Sequence, residues 1–358
     1  MKKIRVAILY GGRSVEHGVS INSARNIAEY IDQKKFTVIP IGITQQGAWH
    51  LTPEVTRNIR SGKRLTANLD PKHPWLSDGS RKVQFDIVFP VLHGTDGEDG
   101  SIQGFLKSLS VPLVGTGVLG SALSMNKIIA KRLLREAHIP VTDFIPLHFS
   151  DSPKPSFDEV SRKLGVPFMV KSASLGSSVG VTKVKSKSEF AKAVREAFRY
   201  DDELLFERYV QGREIECAIL GNAPPKASLP GEIVISKKYD FYTFDAKYVD
   251  SKAVSIDVPA KLSKENIEQV RDLSVRAFKT LKCEDYARVD LFLSEEGEIF
   301  VNEINTIPGF TNSSMYPMMW KDRGISFTDL ISRLITLAQA RHQGANRIER
   351  QFNSSLAY

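Results

Sequence analysis

The sequence predicts an α/β protein of two or three domains, and three observations support this prediction. Its 358 residues exceed what one hydrophobic core usually organises. Hydrophobic residues form 42% of the chain and charged residues 25%, which is the composition of a folded globular protein. The N-terminal part alternates buried-strand and helix patterns, which is typical of a parallel sheet covered by helices.

The N-terminal part of the chain predicts a strand–helix–strand unit. Ile4–Tyr10 is a continuous apolar run that ends at a glycine pair, as a fully buried strand does. A helix fits Val19–Ile31, and Phe36–Ile43 fits a second buried strand. Because a helix separates the two strands, we expect them to lie parallel in one sheet.

Two glycine-rich loops follow strands of this predicted sheet. Gly11–Gly18 follows the first strand, and His93–Gly100 lies between the buried run Phe85–Leu92 and a helix over Ser101–Leu109. Ligands of parallel sheets bind beyond the carboxyl ends of the strands, so we expect both loops to open on one crevice. Neither loop matches G-x-G-x-x-G, so a dinucleotide site is poorly supported. The polar stretch Thr44–Arg81 predicts surface loops with a short strand pair.

The helix predicted over Asn126–Ala137 carries a lysine, Lys127, in its first turn. A cation at this end of a helix opposes the helix dipole. A neighbouring anionic ligand would offset that cost. The alternative is an ordinary surface lysine, and the helix pattern alone does not exclude it.

A second glycine-rich segment lies between two predicted strands, Val166–Lys171 and Val181–Val184. The segment is not a Walker A loop, since G-x-x-x-x-G-K-[ST] is absent and no helix follows. Its small residues would still let backbone N–H groups approach a phosphate closely. Lys171 ends the incoming strand and could supply a positive charge to that phosphate. The alternative is a flexible hairpin tip.

Two glutamates follow in a region that reads as helix, strand and strand. After a helix over Lys187–Phe198, the buried strand Glu203–Phe206 leads into Glu207. We expect the backbone at this strand end to recognise an adenine edge. A carboxylate such as Glu214 can accept hydrogen bonds from ribose hydroxyls, as the acidic residue of dinucleotide sites does. The alternative for each glutamate is a solvated charge.

The segment Arg288–Asn305 predicts a β-hairpin with a charged face. With a two-residue loop at Glu296-Gly297, Asp290 would face Glu303 and Arg288 would face Asn305. Directly opposed carboxylates repel, so the arrangement makes sense if a cation lies between them. Carboxylate and amide oxygens are ligands that Mg²⁺ prefers. The alternative is a solvated hairpin face with incidental acids.

Composition also bears on compartment and partners. The two cysteines, Cys217 and Cys283, indicate reduced thiols rather than a disulfide framework. No apolar run reaches the length that a membrane-spanning helix needs, and the start of the chain lacks a signal-peptide cleavage pattern. The net charge of +8 is spread along the chain without a nucleic-acid motif. We therefore expect neither a membrane nor a nucleic acid as partner, and anionic small molecules explain the charge equally well.

Taken together, these motifs resemble the D-alanine–D-alanine ligases of the ATP-grasp superfamily over nearly the whole chain. The segments that carry the resemblance are, in chain order, Gly11–Ser20, His93–Gly104, Met125-Asn126-Lys127, Gly176–Gly180, Phe241–Tyr248, Arg288-Val289-Asp290, and Asn302–Gly309 with Thr311–Ser314. Seven motifs in the family's order and approximate spacing are far more specific than any one of them.

The resemblance implies an ATP-grasp fold of α/β and α+β domains. It implies an N-terminal Rossmann-like domain over residues 1–115, a central domain over 116–207 and a C-terminal domain over 208–358. The central domain contains the glycine-rich segment around Gly176–Gly180, called the glycine/serine loop below. ATP would lie between the second and third domains. Its γ-phosphate would pass to the carboxylate of a first D-alanine, and the amine of a second D-alanine would attack the acyl phosphate.

The resemblance also implies the site residues. The catalytic set is Glu16, Ser177, Tyr248, Arg288 and Gly309, and the substrate-binding set is His93, Lys247, Ser314 and Met315. The ATP-binding set is Lys127, Lys171, Ser178, Glu207, Val210 and Glu214. The metal ligands would be Asp290, Glu303 and Asn305, holding Mg²⁺ or, as an alternative, Mn²⁺.

Particular roles follow from this comparison. Arg288 and the backbone N–H of Gly309 would stabilise the oxyanion of the tetrahedral intermediate. His93 would contact the carboxylate of the first D-alanine. Ser314 and the backbone of Met315 would bind the carboxylate of the second.

The segment Ile235–Lys252 is long and rich in aromatic residues and lysines, which is typical of a functional lid. The resemblance implies that Lys247 and Tyr248 lie on this lid. Tyr248 would hydrogen-bond with Glu16 and Ser177 when the lid closes. Glu16 would also pair with the ammonium group of the first D-alanine.

The implied partners are two molecules of D-alanine and a second copy of the chain in a homodimer, in the cytoplasm, for peptidoglycan precursor synthesis. The basic, polar segment after Arg341 predicts a mobile tail. Two alternatives stay open. One is a related ligase that makes D-alanyl-D-lactate or D-alanyl-D-serine, and the other is a non-catalytic nucleotide-binding relative.

Overall fold

The computed structural model describes residues 2–72, 75–177, 179–235 and 254–349. The helices, in chain order, are α1 (His17–Tyr30), α2 (Ser101–Ser108), α3 (Val118–Met125), α4 (Lys127–Glu136), α5 (Phe157–Leu164), α6 (Lys187–Ala197), α7 (Lys264–Thr280), α8 (Met315–Asp322) and α9 (Phe327–Ala345). A short 3₁₀ helix spans Ile59–Ser61. The predicted helix boundaries are confirmed to within two residues.

The N-terminal sheet has the strand order β4-β3-β2-β1-β8, with β1 (Ile4–Gly11), β2 (Phe36–Ile43), β3 (Trp49–Leu51), β4 (Lys63–Arg64) and β8 (Ile87–Pro90). Strand β1 runs parallel to both β2 and β8, as the alternation of strand and helix predicts. The stretch predicted as loops with one strand pair is more ordered. It adds β3 and β4 to the edge of this sheet and forms a small antiparallel sheet of β5 (Thr66–Asn68), β6 (Trp75–Ser77) and β7 (Lys82–Val83).

The central sheet is antiparallel with the order β11-β10-β12-β9, where β9 is Phe144–His148, β10 is Phe168–Ser172, β11 is Val181–Val184 and β12 is Glu203–Arg208. Strand β12 is longer than predicted, because its pairing with both neighbours continues through Glu207. The prediction that the strand ends at Glu207 and offers its backbone there to an adenine edge is therefore wrong. The chain leaves the sheet after Arg208, so Tyr209 and Val210 are the residues beyond the strand.

The C-terminal sheet is antiparallel with the order β16-β15-β13-β17-β18, and β14 pairs with β13. Its strands are β13 (Gly212–Leu220), β14 (Lys226–Ala227), β15 (Gly231–Ile235), β16 (Val254–Asp257), β17 (Tyr286–Ser294) and β18 (Ile299–Asn305).

The hairpin of β17 and β18 corrects one prediction. The loop has three residues rather than two, because Ser294 N–H donates to the Glu298 carbonyl at 2.9 Å and Gly297 adopts φ +86°. Asp290 still faces Glu303, since the register shifts by one residue between Asp290 and Leu291. The bulge offsets the extra loop residue and keeps the predicted pairing.

Core packing links the two ends of the chain. Buried side chains of the N-terminal sheet, such as Ile8 and Phe89, share one hydrophobic cluster with Phe310 and with Leu330 and Leu334 of α9. Aromatic rings reinforce this contact, with the centroids of Phe89 and Phe310 6.0 Å apart. The last helices therefore stabilise the first sheet although they are distant in sequence.

The C-terminal end differs from its prediction. Helix α9 continues past Arg341 to Ala345, so the segment predicted as a mobile tail begins as helix. Arg341 itself pairs with Glu284 at 3.1 Å and with Asp285 at 2.9 Å. Within the part of the chain that the structure describes, no helix combines the length and the apolar character needed to cross a bilayer.

Candidate active site

The charged face of the β17–β18 hairpin forms as predicted. Asp290 faces Glu303 and Arg288 faces Asn305. The Asp290 carboxylate accepts hydrogen bonds from Nε and Nη2 of Arg288, both at 2.7 Å, and from Nδ2 of Asn305 at 2.9 Å. Glu303 instead pairs with Lys127, whose Nζ lies 3.3 Å from its carboxylate. Each acid thus has its own cation, which relieves the repulsion between them.

Lys127 is anchored rather than exposed. Asn126 caps helix α4 by accepting hydrogen bonds from the next turn, and Lys127 Nζ donates to the Leu175 carbonyl at 2.7 Å. Only 8% of Lys127 is exposed. The surface-lysine alternative is therefore wrong, and the helix brings this cation to both the glycine/serine loop and Glu303.

Lys171 belongs to a buried charge network that sequence reasoning missed in part. Its Nζ forms an ion pair with Glu207 and donates to Asn302 Oδ1 at 3.3 Å. The other oxygen of Glu207 pairs with Lys131 at 2.5 Å and accepts a hydrogen bond from Thr142. Lys131 follows Lys127 by one helical turn, so the shared helix face was the signal that could have revealed it.

The electrostatics of this network have a clear direction. Burial alone would raise the pKa of Glu207, but Lys131 and Lys171 outweigh it and hold that pKa well below the usual range. Burial lowers the pKa of Lys131, against the attraction of Glu207. For Lys171, burial is outweighed by Glu207 and Glu303, and its pKa is raised. Lys171 therefore stays a cation beside the cleft.

The glycine/serine loop reaches the N-terminal crevice through Ser177. Its hydroxyl donates a hydrogen bond to the Glu16 carboxylate. The resemblance implied that both residues contact Tyr248, and the structure brings the two of them together directly. The close approach depends on two glycines. A Cβ on Gly94 would lie 2.8 Å from Glu16 Oε2, and one on Gly176 would lie 3.1 Å from it. Glu16 is thus enclosed between the loop His93–Gly100, which contains Gly94, and the glycine/serine loop, which contains Gly176.

His93 holds protein groups on both sides of its ring. Its Nδ1 lies 2.8 Å from the Ile307 carbonyl, and its Nε2 lies 3.0 Å from Ser23 Oγ. Burial lowers the pKa of His93, so the ring is neutral, with Nδ1–H donating and Nε2 accepting. This arrangement differs from the expected contact with a substrate carboxylate, because a neutral ring with two protein partners offers that carboxylate no donor.

Glu98, like His93, forms a hydrogen bond with the backbone of Ile307, and this residue was not identified from the sequence. Its carboxylate accepts from Ile307 N–H at 3.0 Å and from Gly94 N–H at 2.8 Å. Burial, with the nearby charge of Glu16, raises the pKa of Glu98 to about 8. Ile307 is therefore held by both its N–H and its carbonyl, which positions the turn that leads to Gly309.

The residues expected to bind the second substrate lie at the start of helix α8. Ser314 immediately precedes this helix, and Met315 is its first residue. A Cβ on Gly309 would lie 3.3 Å from Ser314 Oγ, so the two are neighbours. Backbone N–H groups at a helix N-terminus favour a carboxylate. The Met315 side chain itself is buried.

A cleft of about 390 Å³ separates the central and C-terminal sheets, which is a usual size for a small-molecule site. Its charged and polar lining includes Lys127, Lys171, Ser177, Glu207, Glu214, Glu216, Asp290, Asn302 and Glu303, and its apolar lining includes Met169, Val181, Val210, Ile215, Leu291 and Phe292. Apolar walls at one side and cations with acids at another suit a flat base joined to phosphates. The described members of the expected ATP-binding set all line this cleft.

The expected metal ligands fit a hard cation. Within the described ranges no trio of His, Cys, Asp or Glu side chains is arranged to hold a metal. The acidic ligands of the expected set are therefore the two carboxylates of Asp290 and Glu303. Asn305 donates to Asp290 through its amide nitrogen, which leaves the amide oxygen as the donor atom for a cation. Mg²⁺ commonly takes one or two carboxylates and completes its shell with water and substrate phosphates. The donor set therefore suits Mg²⁺ beside bound phosphates.

Other expected residues fall elsewhere. Ser178, Lys247 and Tyr248 lie outside the described residues, as does nearly all of the predicted lid, so their roles stay predictions. Seven of the described expected residues do not line the cleft itself, namely Glu16, His93, Arg288, Asn305, Gly309, Ser314 and Met315.

The fold and this site define a class of enzyme, the ATP-grasp ligases, which bind nucleotide between two antiparallel sheets. Comparison with known families agrees. The family model described as D-ala D-ala ligase N-terminus matches residues 5–116, and the one described as D-ala D-ala ligase C-terminus matches residues 133–336. The chain belongs to the D-alanine–D-alanine ligase family.

Individual relatives resemble the chain over nearly its whole length. D-alanine–D-alanine ligase A of Escherichia coli strain K12 is 44% identical over 363 residues, covering 98% of this chain and 99% of the relative. The D-alanine–D-alanine ligase structure from Coxiella burnetii has a TM-score of 0.87 and 39% identity, covering 97% of both chains. The Bacillus anthracis enzyme complexed with ATP has a TM-score of 0.74 and 28% identity, covering 96% of this chain and 99% of that one.

Proposed function

We propose that this chain joins two molecules of D-alanine into D-alanyl-D-alanine and converts ATP to ADP and phosphate. The observation that carries the proposal is that buried lysines and a pair of carboxylates line the same cleft. Lys127 and Lys171 supply positive charge, while Asp290 and Glu303 supply oxygen ligands on the facing hairpin. Phosphoryl transfer needs this combination of positioning and charge neutralisation more than it needs a covalent catalyst.

In the first step, a carboxylate oxygen of the first D-alanine attacks the γ-phosphorus of ATP, and ADP leaves. Lys127 and Lys171 neutralise charge on the phosphates, while Glu16 pairs with the ammonium group of this D-alanine. Glu16 is held in place by the Ser177 hydroxyl, so the glycine/serine loop over the phosphates also fixes the amino acid. Mg²⁺ on Asp290, Glu303 and Asn305 would supply charge neutralisation to the phosphates when bound.

In the second step, the amine of the second D-alanine attacks the acyl carbon, and phosphate leaves as the amide forms. Arg288 and the Gly309 N–H stabilise the oxyanion that develops on the acyl oxygen. Ser314 and the Met315 N–H bind the carboxylate of the second D-alanine. His93 and Glu98 act indirectly, because their hydrogen bonds to Ile307 hold the turn that presents Gly309.

Further features belong to the same proposal. We propose the domain division 1–115, 116–207 and 208–358, a homodimer, a cytoplasmic location and a role in peptidoglycan precursor synthesis. The lid Ile235–Lys252, with Lys247 and Tyr248, would close the cleft and exclude water that would otherwise hydrolyse the acyl phosphate. Ser178 would join Ser177 over the phosphates.

The test measures phosphate release from ATP with Mg²⁺ and identifies the product by mass spectrometry. We expect release to depend on D-alanine, to be far weaker with L-alanine, and to yield D-alanyl-D-alanine. Adding D-serine or D-lactate with D-alanine asks whether a mixed product forms, which is the nearer alternative. Equal turnover with L-alanine, or rapid turnover without any amino acid, would overturn the proposal. Nucleotide binding without any turnover would favour the non-catalytic alternative.

A further inference from the structure

Three acidic side chains lie in one row across neighbouring strands, and the chemistry described above uses only two of them. Glu216 of β13 is paired with Asp290 of β17, which is paired with Glu303 of β18. Directly opposed residues point to the same face of a sheet, so the three carboxylates lie side by side. Adjacent like charges are destabilising unless cations separate them.

Among the residues that the structure describes, the cation at the Glu216 end of the row is Arg288. Its Nε lies 2.7 Å from Asp290 Oδ1 and 3.0 Å from Glu216 Oε2, so the guanidinium is held by both acids. The Glu216 side chain is 5% exposed and that of Asp290 16%, so Glu216 is the more deeply buried partner. A carboxylate this buried needs a charged partner to remain ionised. At the other end of the row, Lys127 pairs with Glu303.

We propose that Glu216 is a positioning residue that holds the Arg288 guanidinium at the reaction centre while Asp290 binds the Mg²⁺ that neutralises the phosphates. The inference rests on the proposed function, which assigns Arg288 to the oxyanion and Asp290 to Mg²⁺. A carboxylate shared with a divalent cation attracts an arginine less strongly, and the two positive charges repel each other. Glu216 supplies the second negative charge that keeps the arginine in place.

A direct ligand role for Glu216 fits the geometry less well. Arg288 occupies the space between Glu216 and Asp290, and no metal-binding trio of acids occurs among the described residues. Glu216 does line the cleft, so its charge also lies near the reacting groups. The two roles make different predictions for Mg²⁺ dependence.

The first experiment is the variant Glu216→Gln, which keeps the shape and removes the charge. We expect kcat to fall by about 10- to 10²-fold with KM for ATP changed by less than about threefold, because the arginine acts mainly in the transition state. The Mg²⁺ concentration for half-maximal rate should stay within about threefold of wild type. A much larger Mg²⁺ requirement would make Glu216 a metal ligand and overturn the proposal.

A double-mutant cycle separates positioning from a general structural effect. In the Arg288→Gln background, Glu216→Gln should change kcat by less than about twofold, because the residue through which it acts is gone. The same loss in both backgrounds would overturn the proposal. The matched control is Glu284→Gln, which removes a carboxylate from another arginine, Arg341, away from the cleft. We expect that control to retain wild-type kcat.

A readout independent of turnover keeps failure of this inference distinct from failure of the proposed function. The ¹⁵N–¹H signal of Arg288 Nε is identified by its disappearance in Arg288→Gln. Hydrogen exchange at this site should be at least about tenfold faster in Glu216→Gln than in wild type, because the buried guanidinium loses one of the two carboxylates that hold it in place and keeps only its hydrogen bonds to Asp290. If wild type fails to ligate D-alanine but this exchange accelerates, positioning stands and the substrate assignment fails. Unchanged exchange together with unchanged kcat would refute positioning.

Discussion

The buried network around Glu207 allows a quantitative test of how the cleft is built. The substitution Glu207→Gln keeps the volume of a side chain that is 1% exposed and removes the charge between Lys131 and Lys171. Removing one partner of a buried ion pair costs about 3–5 kcal/mol, because the remaining charge is left uncompensated. We expect the free energy of unfolding at neutral pH to fall by about this amount.

The pH dependence has a definite sign. In wild type the pKa of Glu207 is depressed, so its contribution is complete above the usual glutamate pKa and is lost only as pH falls through the depressed value. In the variant, burial of Lys131 without a counter-charge depresses the pKa of that lysine. The unfolded chain then binds more protons than the folded one, so the stability of the variant rises with pH. The difference in the free energy of unfolding between wild type and Glu207→Gln should therefore be smaller at about pH 9 than at about pH 7.

The assay is urea unfolding followed by circular dichroism and tryptophan fluorescence at both pH values. Glu203→Gln on the same strand is the matched control, since Glu203 accepts from the Asn126 amide rather than from a lysine. It should cost less than about 1 kcal/mol. Adding Lys131→Met to Glu207→Gln should recover at least about 1 kcal/mol, because it removes the buried lysine whose ion pair is lost, while Lys171 keeps the attraction of Glu303. A Glu207→Gln variant as stable as wild type, or no recovery in the double variant, would refute the reasoning.

Three further predictions concern other parts of the molecule. Glu303→Gln should leave the hairpin folded but lower D-alanine-dependent phosphate release by about 10²-fold or more; near-full activity at limiting Mg²⁺ would show that Glu303 is not a ligand. Because the folded pKa of Glu98 is raised to about 8, wild-type stability should decline between about pH 4.5 and 8 by up to about 1.4 kcal/mol per pH unit. Glu98→Gln should flatten that decline in urea titrations, and an unaltered slope would assign it to another group. Burial raises the pKa of Cys217 to about 11 and of Cys283 to about 12, so a thiol reagent at about pH 8 should label neither until urea unfolds the chain; rapid native labelling would contradict this.

The sequence by itself determined features that depend on short-range pattern. Period-two alternation and turn residues predicted the hairpin and its charged face, whereas Asp290 opposes Glu303 only because a bulge that the sequence did not predict offsets the longer loop. The strand–helix–strand pattern was enough to predict the parallel pairing of β1 with β2. A lysine in the first turn of a helix, Lys127, led us to expect a neighbouring anionic ligand, and the structure places the Glu303 carboxylate 3.3 Å from its Nζ; binding of a ligand by Lys127 stays a prediction. These features are local because backbone geometry repeats within a few residues.

Only the tertiary structure decided which distant groups share a buried space. Lys131 reads as one more helix lysine until the central sheet places Glu207 against it. His93 reads as a substrate ligand until Ile307, more than two hundred residues later, occupies its ring nitrogen. Glu216 reads as a strand glutamate until β17 brings Arg288 beside it. Sequence pattern records which face of an element is polar, whereas burial and charge pairing depend on the partner element, which lies far away along the chain.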